Sequence, residues 1–125
     1  MAGLNLVLLA GLPASGKSHF ARFLSSKLGY PVIAKDAIKE ILFDDVGFRS
    51  RAEKVKLGVA AMDLMYDQAD TLLGQGISVI LDNNFENVSL PGVQKLMEKY
   101  RPNTVTVRFE GDPKAVYQRF VKRDA

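Results

Sequence analysis

The chain has 125 residues, of which 47% are hydrophobic and 25% charged, and it contains no cysteine. This balance is typical of a globular domain and excludes a disordered or fibrous chain, and without cysteine neither disulfides nor cysteine-ligated zinc can form. The net charge of +3 arises from residues 101–125 and is too small to indicate nucleic-acid binding by itself. The apolar run at residues 6–12 is too short to span a membrane, so we expect a cytoplasmic protein with one domain, residues 1–125.

Short apolar runs alternate along the chain with segments whose apolar residues recur at helical spacing. The runs predict strands at residues 5–10, 31–34, 78–81 and 105–109. The periodic segments predict helices at residues 20–28, 36–42, 51–75, 91–100 and 113–122. Strands that alternate with helices pair in parallel through right-handed crossovers. The sequence therefore predicts a three-layer α/β/α sandwich with a parallel sheet.

Local signals refine these helices. Gly29 is expected to end the first helix, Asp36 to cap the second, and residues 43–51 to form a loop. The apolar face of the long third helix is predicted to consist of Val55, Val59, Met62, Met65, Ala69 and Leu72.

The segment GLPASGKS, residues 11–18, follows the first predicted strand and matches the phosphate-binding pattern G-x-x-x-x-G-K-[ST]. Glycine lets this backbone approach phosphate oxygens, while amides of the loop and of the next helix point at the anion. Lys17 would reach the β- and γ-phosphates, and Ser18 would ligate Mg²⁺. The predicted cofactors are ATP and Mg²⁺, held by Gly11, Pro13, Ala14, Ser15, Gly16, Lys17 and Ser18.

A phosphate loop in this position indicates the P-loop nucleoside triphosphate hydrolase fold. Folds of this kind usually have at least one strand more than the four predicted here. We therefore expect the last strand to be missing and the domain to be incomplete at its C-terminus.

A carboxylate ends the third predicted strand. Asp82 follows the apolar residues 78–81, which is the form of a Walker B element that holds Mg²⁺, although a turn-forming aspartate would also fit. The next residues are Asn83 and Asn84, so the glutamate that polarises attacking water in motor-type ATPases is missing. This pattern disfavours a dedicated ATP hydrolase.

A second carboxylate follows the second predicted strand. Asp36 starts the next helix, and Lys39 lies three residues later on the same helical face. Phosphoryl transfer to a hydroxyl needs a carboxylate that accepts the proton and a cation that holds the acceptor. We therefore predict that Asp36 is catalytic and that Asp36 and Lys39 bind the acceptor. Helix capping would also explain Asp36, and it is compatible with catalysis.

Two arginines lie four residues apart near the C-terminus. Arg119 and Arg123 would project to one side of the predicted last helix. There they could stabilise charge on the transferring phosphoryl group, or they could belong to a solvated surface. Arg49 and Arg51, which border the loop after the second helix, could reach an anionic acceptor.

Four segments together resemble a known group of kinases. These are GLPASGKS, AKDAIKE, VILDNNF and RFVKRD. They resemble the P-loop kinases of the AAA-domain and zeta-toxin-like group and are similar to the kinase domain of phage-type polynucleotide 5′-hydroxyl kinase. The resemblance implies a general base in Asp36, an Asp-x-Asn element in Asp82 and Asn84, and lid arginines in Arg119 and Arg123. Lys39 stands where these kinases often have an arginine that contacts the acceptor, and lysine offers only a point charge there.

The leading hypothesis is an ATP-dependent kinase that transfers the γ-phosphoryl group to a hydroxyl of a small molecule or of a nucleic-acid end. A nucleic-acid partner has weak support, because the first 100 residues carry no net charge. The alternative hypothesis is a nucleotide-binding switch or slow ATPase that acts through a protein partner.

Overall fold

A mostly parallel sheet forms the centre of the fold. The computed structural model describes residues 3–11, 16–85 and 90–109, together with the backbone of residues 118–124. Its strands are β1 (Asn5–Gly11), β2 (Val32–Ala34), β3 (Val79–Asp82), β4 (Asn103–Phe109) and β5 (Gln118–Asp124). Its helices are α1 (Lys17–Leu28), α2 (Lys35–Asp45), α3 (Arg51–Gly74) and α4 (Leu90–Tyr100). The strand order is β2-β3-β1-β4-β5, and all neighbouring strands are parallel except β4 and β5.

Helices cover both faces of the sheet, because β1 and β3 carry apolar side chains on both sides. On one face Leu8 and Leu81 pack with residues of α3 and α4, including Met65. On the other face Leu9 and Ile80 pack with α1. Each large apolar side chain removed from water in this way contributes roughly 1.5–3 kcal/mol. The predicted three-layer α/β/α sandwich with a parallel sheet is confirmed.

Several helix ends follow the local signals in the sequence. Gly29 adopts φ 73, and its N–H donates to the carbonyl of Ser25, so this glycine ends α1 as predicted. The long helix α3 begins at a reciprocal cap. The Ser50 hydroxyl accepts from the Glu53 N–H at 3.1 Å, and the Glu53 carboxylate accepts from the Arg49 N–H at 2.9 Å.

The second helix differs from its prediction at both ends. It begins at Lys35 with Ala34 as the N-cap, so Asp36 lies inside the first turn and does not cap the helix. It continues to Asp45, so the predicted loop is reduced to residues 46–50. The aromatic pair Phe43 and Phe48 explains the longer helix, because their rings meet edge to face at 4.9 Å and hold the last turn against the connection.

The apolar face of α3 is only partly a core face. Met65 and Ala69 are fully buried, as predicted, but Val55 and Val59 are 58% and 48% exposed. None of residues 51–60 is buried, so the first part of α3 does not contribute to the core despite its helical spacing of apolar residues. In the described part of the chain, no helix is long and apolar enough to cross a membrane.

The prediction of a helix at residues 113–122 is wrong for residues 118–122. Residues Gln118–Asp124 form β5, which pairs antiparallel with β4 from Gln118 opposite Phe109 to Asp124 opposite Asn103. The open edge of β4 offers seven residues of ladder hydrogen bonding, and local helical spacing carries no information about such a distant partner. Residues 110–117 lie outside the described part of the chain.

A polar cluster ties α3 to α4 at the surface. The Asp70 carboxylate accepts from the Tyr100 hydroxyl at 2.6 Å and from the Lys99 ammonium at 3.0 Å. These bonds lower the pKa of Asp70 below its usual 3.8, with the Tyr100 bond as the largest cause. The bond to Asp70 likewise raises the pKa values of Lys99 and Tyr100. The cluster therefore links α3 and α4 through charge-assisted hydrogen bonds at the surface.

Gly11 is expected to be the glycine least tolerant of substitution. It has φ +125, and an added Cβ would overlap the carbonyl oxygen of Phe109 on β4. Gly11→Ala should therefore lower the free energy of unfolding by about 3 kcal/mol, from overpacking plus strain at positive φ. Urea denaturation followed by circular dichroism measures this loss.

Gly47→Ala is the matched control. Gly47 also has positive φ, at +76, but no atom lies within 4 Å of the added Cβ. Its replacement should cost only about 1 kcal/mol. Equal losses for the two variants would contradict the close approach of β1 and β4.

Candidate active site

The carboxyl ends of three adjacent strands meet at one edge of the sheet. Asp82 of β3 is in register with Leu9 of β1 on one side and with Ala34 of β2 on the other. Gly11 and Asp36 lie two residues beyond these partners, on either side of β3. Open α/β sheets bind their ligands outside the carboxyl ends of the strands, so this edge is the candidate site.

A buried ion pair lies at the centre of this edge. The Lys17 ammonium is 3.1 Å from Oδ1 of Asp82, and the two side chains are only 6% and 9% exposed. The same ammonium donates to the carbonyl of Gly11 at 3.0 Å. These contacts join the first turn of α1 to the ends of both β1 and β3. They use two of the three ammonium donors and leave one to bind an anion.

The start of α1 is suited to an anion. Gly16 has φ 88, which turns the chain into the helix, and the first turn of α1 carries no acidic residue. The amides of this turn therefore present uncompensated partial positive charge. Ser18 is exposed in the same turn. Pro13, Ala14 and Ser15, the remaining predicted loop residues, lie outside the described part of the chain.

Ser18 and Asp82 together fit the protein side of a magnesium site. A hydroxyl and a carboxylate are hard oxygen donors, and Mg²⁺ beside phosphates takes only one or two protein ligands. Among the described residues there is no group of three or more acidic or histidine side chains that could hold a metal alone. The donor set thus suits an ion that arrives with a phosphate.

Asp36 and Lys39 lie together on α2, as their spacing predicted. Oδ1 of Asp36 is 3.5 Å from the Lys39 ammonium, and the Asp36 side chain is 59% exposed. The ammonium is also 5.9 Å from the centre of the Phe43 ring. This carboxylate is accessible to a substrate, and it has a cation beside it.

The end of β3 contains a feature that the sequence did not reveal. Asn84 is exposed, as a ligand-binding residue should be, but Asn83 before it is only 5% exposed. The Oδ1 atom of Asn83 accepts from the Asn84 N–H at 2.8 Å, whereas its Nδ2 atom is buried and has no hydrogen-bond partner among the described residues. In the sequence, only its position next to Asp82 singled it out.

The two C-terminal arginines do not lie at the same end of the sheet. Both belong to β5, so they are not on one helical face as predicted. The backbone of Arg119 is level with Arg108, near the carboxyl end of β4, whereas that of Arg123 is level with Thr104 near its amino end. Four residues of strand separate them by roughly 13 Å. Their side chains lie outside the described part of the structure.

A groove with a volume of about 580 Å³ lies between α3 and α4. It contains none of the predicted site residues, so it is not the candidate site. Its charged groups include Asp70 and Lys99, which pair with each other.

The buried pair makes a specific thermodynamic prediction. Lys17→Met leaves the Asp82 carboxylate buried without its cation and should cost about 3–5 kcal/mol of unfolding free energy. The Lys17→Met, Asp82→Asn double variant should lose much less than the sum of the two single variants. Urea unfolding of the four proteins measures this coupling.

The pair between Lys99 and Asp70 is the matched control. Its charged atoms are 3.0 Å apart, close to the 3.1 Å of the buried pair, but the side chains are 60% and 40% exposed. Because solvent screens exposed charges, its coupling should be much the smaller of the two. Comparable couplings would show that burial does not strengthen the Lys17–Asp82 pair.

Comparisons with known proteins find the same fold in solved structures. A candidate kinase of Chloroflexus aurantiacus J-10-fl is 30% identical with a TM-score of 0.79, over 86% of this chain and 60% of that protein. An APS kinase of Mycobacterium tuberculosis is 21% identical with a TM-score of 0.61, over 89% of this chain and 78% of that one. A chain of the Pnkp1/Rnl/Hen1 complex is 21% identical with a TM-score of 0.59, over 90% of this chain and 36% of that one.

The chain thus spans 60% of the length of the Chloroflexus protein. No curated protein matches it significantly. A family model described as an AAA domain, AAA_33, matches residues 6–125. The chain therefore belongs to the AAA_33 family, and it has the fold of the P-loop kinases.

Proposed function

We propose that this protein is an ATP-dependent kinase that transfers the γ-phosphoryl group to a hydroxyl of an acceptor. One observation carries the proposal. The Lys17–Asp82 pair and the accessible Asp36 carboxylate lie at the ends of adjacent strands, so that a phosphate site and an acceptor site flank β3. We also infer that residues 1–125 work as one domain, because the described strands form one sheet.

The nucleotide would bind at the start of α1. Residues 11–18 and the first turn of α1 would supply amide donors, and the third donor of Lys17 would reach the phosphates. Ser18 and Asp82 would hold Mg²⁺, directly or through water. When bound, Mg²⁺ would neutralise charge on the phosphate oxygens. These groups would hold the γ-phosphoryl group in place and make its phosphorus more electrophilic.

The acceptor would bind beside α2. Asp36 would accept the proton of the attacking hydroxyl, and Lys39 beside it would attract an anionic part of the acceptor. Asn84, exposed at the end of β3, would contact the same molecule. Of the two C-terminal arginines, Arg119 is the better candidate to stabilise the transferring group, because its backbone lies near the carboxyl edge. Catalysis would be mostly positioning and electrostatics.

The switch or slow-ATPase hypothesis differs in how ATP is consumed. An asparagine follows Asp82 where a motor-type ATPase has glutamate, which argues against fast hydrolysis. Turnover of labelled ATP should therefore be slow when no acceptor is present and should rise when the correct acceptor is added. A panel of sugars, nucleosides, antibiotics and 5′-hydroxyl oligonucleotides tests this, and the oligonucleotides also test a nucleic-acid acceptor. Turnover unaffected by every acceptor would favour the switch.

Lys17→Ala should abolish tight nucleotide binding. The ammonium provides the single side-chain cation buried at the described part of the site, and no neutral side chain replaces its charge-assisted bonds. Isothermal titration with MgATP should show a loss of about a hundredfold or more in affinity. Wild-type affinity in a folded Lys17→Ala variant would refute the phosphate site.

Asp36→Asn should separate binding from transfer. The exposed amide keeps the shape of the carboxylate but cannot accept the proton, so kcat should fall by roughly 10²–10⁴ while the Kd for MgATP stays unchanged. Rates with an acceptor found in the panel measure the first quantity, and titration measures the second. Asp45→Asn at the other end of α2 is the control and should change neither. Unaltered turnover in Asp36→Asn would remove Asp36 as the base.

A further inference from the structure

The side-chain amide of Asn83 is oriented by its neighbours. Its Oδ1 atom must be the oxygen, because it accepts from the backbone N–H of Asn84 at 2.8 Å. The other end is therefore the NH₂ group, which is buried and has no acceptor within the part of the chain that the structure describes. Buried donors in proteins are nearly always hydrogen-bonded, so an exception calls for an explanation.

The position of Asn83 is equally well defined. Its own backbone N–H donates to the carbonyl of Leu9 at 3.1 Å, which continues the ladder between β3 and β1 for one residue beyond Asp82. Side chains alternate along a strand. Asp82 faces Lys17 on the α1 side, and Leu81 faces the α3 side. Asn83 follows Leu81 toward the side where α2 carries Asp36.

The strand order places this amide on the path of phosphoryl transfer. β3 lies between β1, which leads into the phosphate loop, and β2, which leads into α2. A phosphoryl group that moves from a nucleotide at Lys17 to an acceptor at Asp36 must pass over the end of β3. Asn83 follows the last residue of that strand, so its amide lies at the end of β3, between the strands that lead to the two sites.

We propose that the side-chain NH₂ of Asn83 donates a hydrogen bond to an oxygen of the γ-phosphoryl group of the bound nucleotide. This inference rests on the proposed nucleotide site, but it does not depend on any acceptor. It makes Asn83 a γ-phosphate sensor, which distinguishes nucleoside triphosphate from diphosphate. Asn83 cannot act as a base, so it would bind the γ-phosphoryl group at a position where glutamate would promote hydrolysis.

Three chemical observations favour a phosphoryl oxygen as the missing acceptor. The γ-phosphoryl group carries charge on three oxygens, each of which needs donors or a cation. A donor that is already desolvated gains more from an ionised acceptor than from a neutral one. The attacking hydroxyl of the acceptor is a poorer choice, because a hydrogen bond donated to its oxygen would lower its nucleophilicity.

The turn that follows Asn83 can supply the movement that binding requires. The amide is shielded in the free protein, so the γ-phosphoryl group reaches it only if residues 83–85 shift. Phe85 holds φ 54 while only 8% exposed, a backbone conformation that bulky side chains rarely adopt. A rearrangement of this turn can relieve that strain while it uncovers the amide.

The test compares two nucleotides in the whole chain. Isothermal titration measures the Kd of the non-hydrolysable ATP analogue AMPPNP and of ADP, each with Mg²⁺. Asn83→Ala should weaken AMPPNP binding by about tenfold or more and ADP binding by less than about twofold. Asn83→Asp, which has the same shape with a repelling charge, should weaken AMPPNP binding further. Thr104→Ala, which removes a different buried polar side chain, should affect neither nucleotide.

A measurement on the wild type covers the case in which the variants fold poorly. The side-chain amide protons of Asn83 should shift in NMR spectra when MgAMPPNP is added and stay unchanged with MgADP. Equal losses for both nucleotides in the variants, or equal shifts in the wild type, would overturn the inference.

The inference and the proposed function can fail separately. If the Asn83 variants lose AMPPNP binding selectively but no acceptor is phosphorylated, the proposed kinase activity is wrong and the role of Asn83 stands. If an acceptor is phosphorylated but the Asn83 variants lose the binding of both nucleotides equally, the role of Asn83 is wrong and the kinase activity stands. A wild type that binds neither nucleotide would overturn both.

Discussion

The ion pair between Lys17 and Asp82 is the contact on which the candidate site depends. Burying a charge costs free energy, and a buried ion pair is stable only when the two opposite charges stay close together. Here the ammonium also bonds to the Gly11 carbonyl, so one side chain holds the ends of β1, β3 and α1 together. Removal of either partner would leave the other charge buried without an opposite charge beside it. The pair therefore fixes the local geometry without being a source of large net stability.

The parallel sheet gives this pair its functional meaning. Because the strands are parallel and in register, their carboxyl ends are level, and the residues just beyond them share one edge. In the proposed function, the order β2-β3-β1 would separate the phosphate site from the acceptor site, with the end of β3 between them. The phosphoryl group would then need to cross only one strand. The family and the similar structures agree with this arrangement at the level of the fold.

An aromatic and cationic group lies beside the end of α2, on the side of the edge where the acceptor is proposed to bind. Phe43 in the last turn of α2 packs against Phe48 in the connection to α3, and the Lys54 ammonium lies within 6 Å of both ring centres. Lys39 joins this group to Asp36. Cations above aromatic rings are stabilised by the ring quadrupole, so the group has a defined local structure. We propose that acceptor choice depends on this region.

The sequence by itself determined the fold class, three strand ends and the shared face of Asp36 and Lys39. These features depend on short-range physics, namely apolar periodicity, glycine conformations and helical spacing. Sequence reasoning also placed Asp82 at the edge, although it could not show that this carboxylate pairs with Lys17.

Only the tertiary structure decided the rest. It showed that Val55 and Val59 lie outside the core, that residues 118–124 pair with β4, and that Asn83 is buried with an unpaired amide. Each of these depends on contacts between residues far apart in the chain. Whether a residue is buried or paired in a sheet depends on the residues that it contacts as much as on its own type. The local sequence pattern does not show which residues those are.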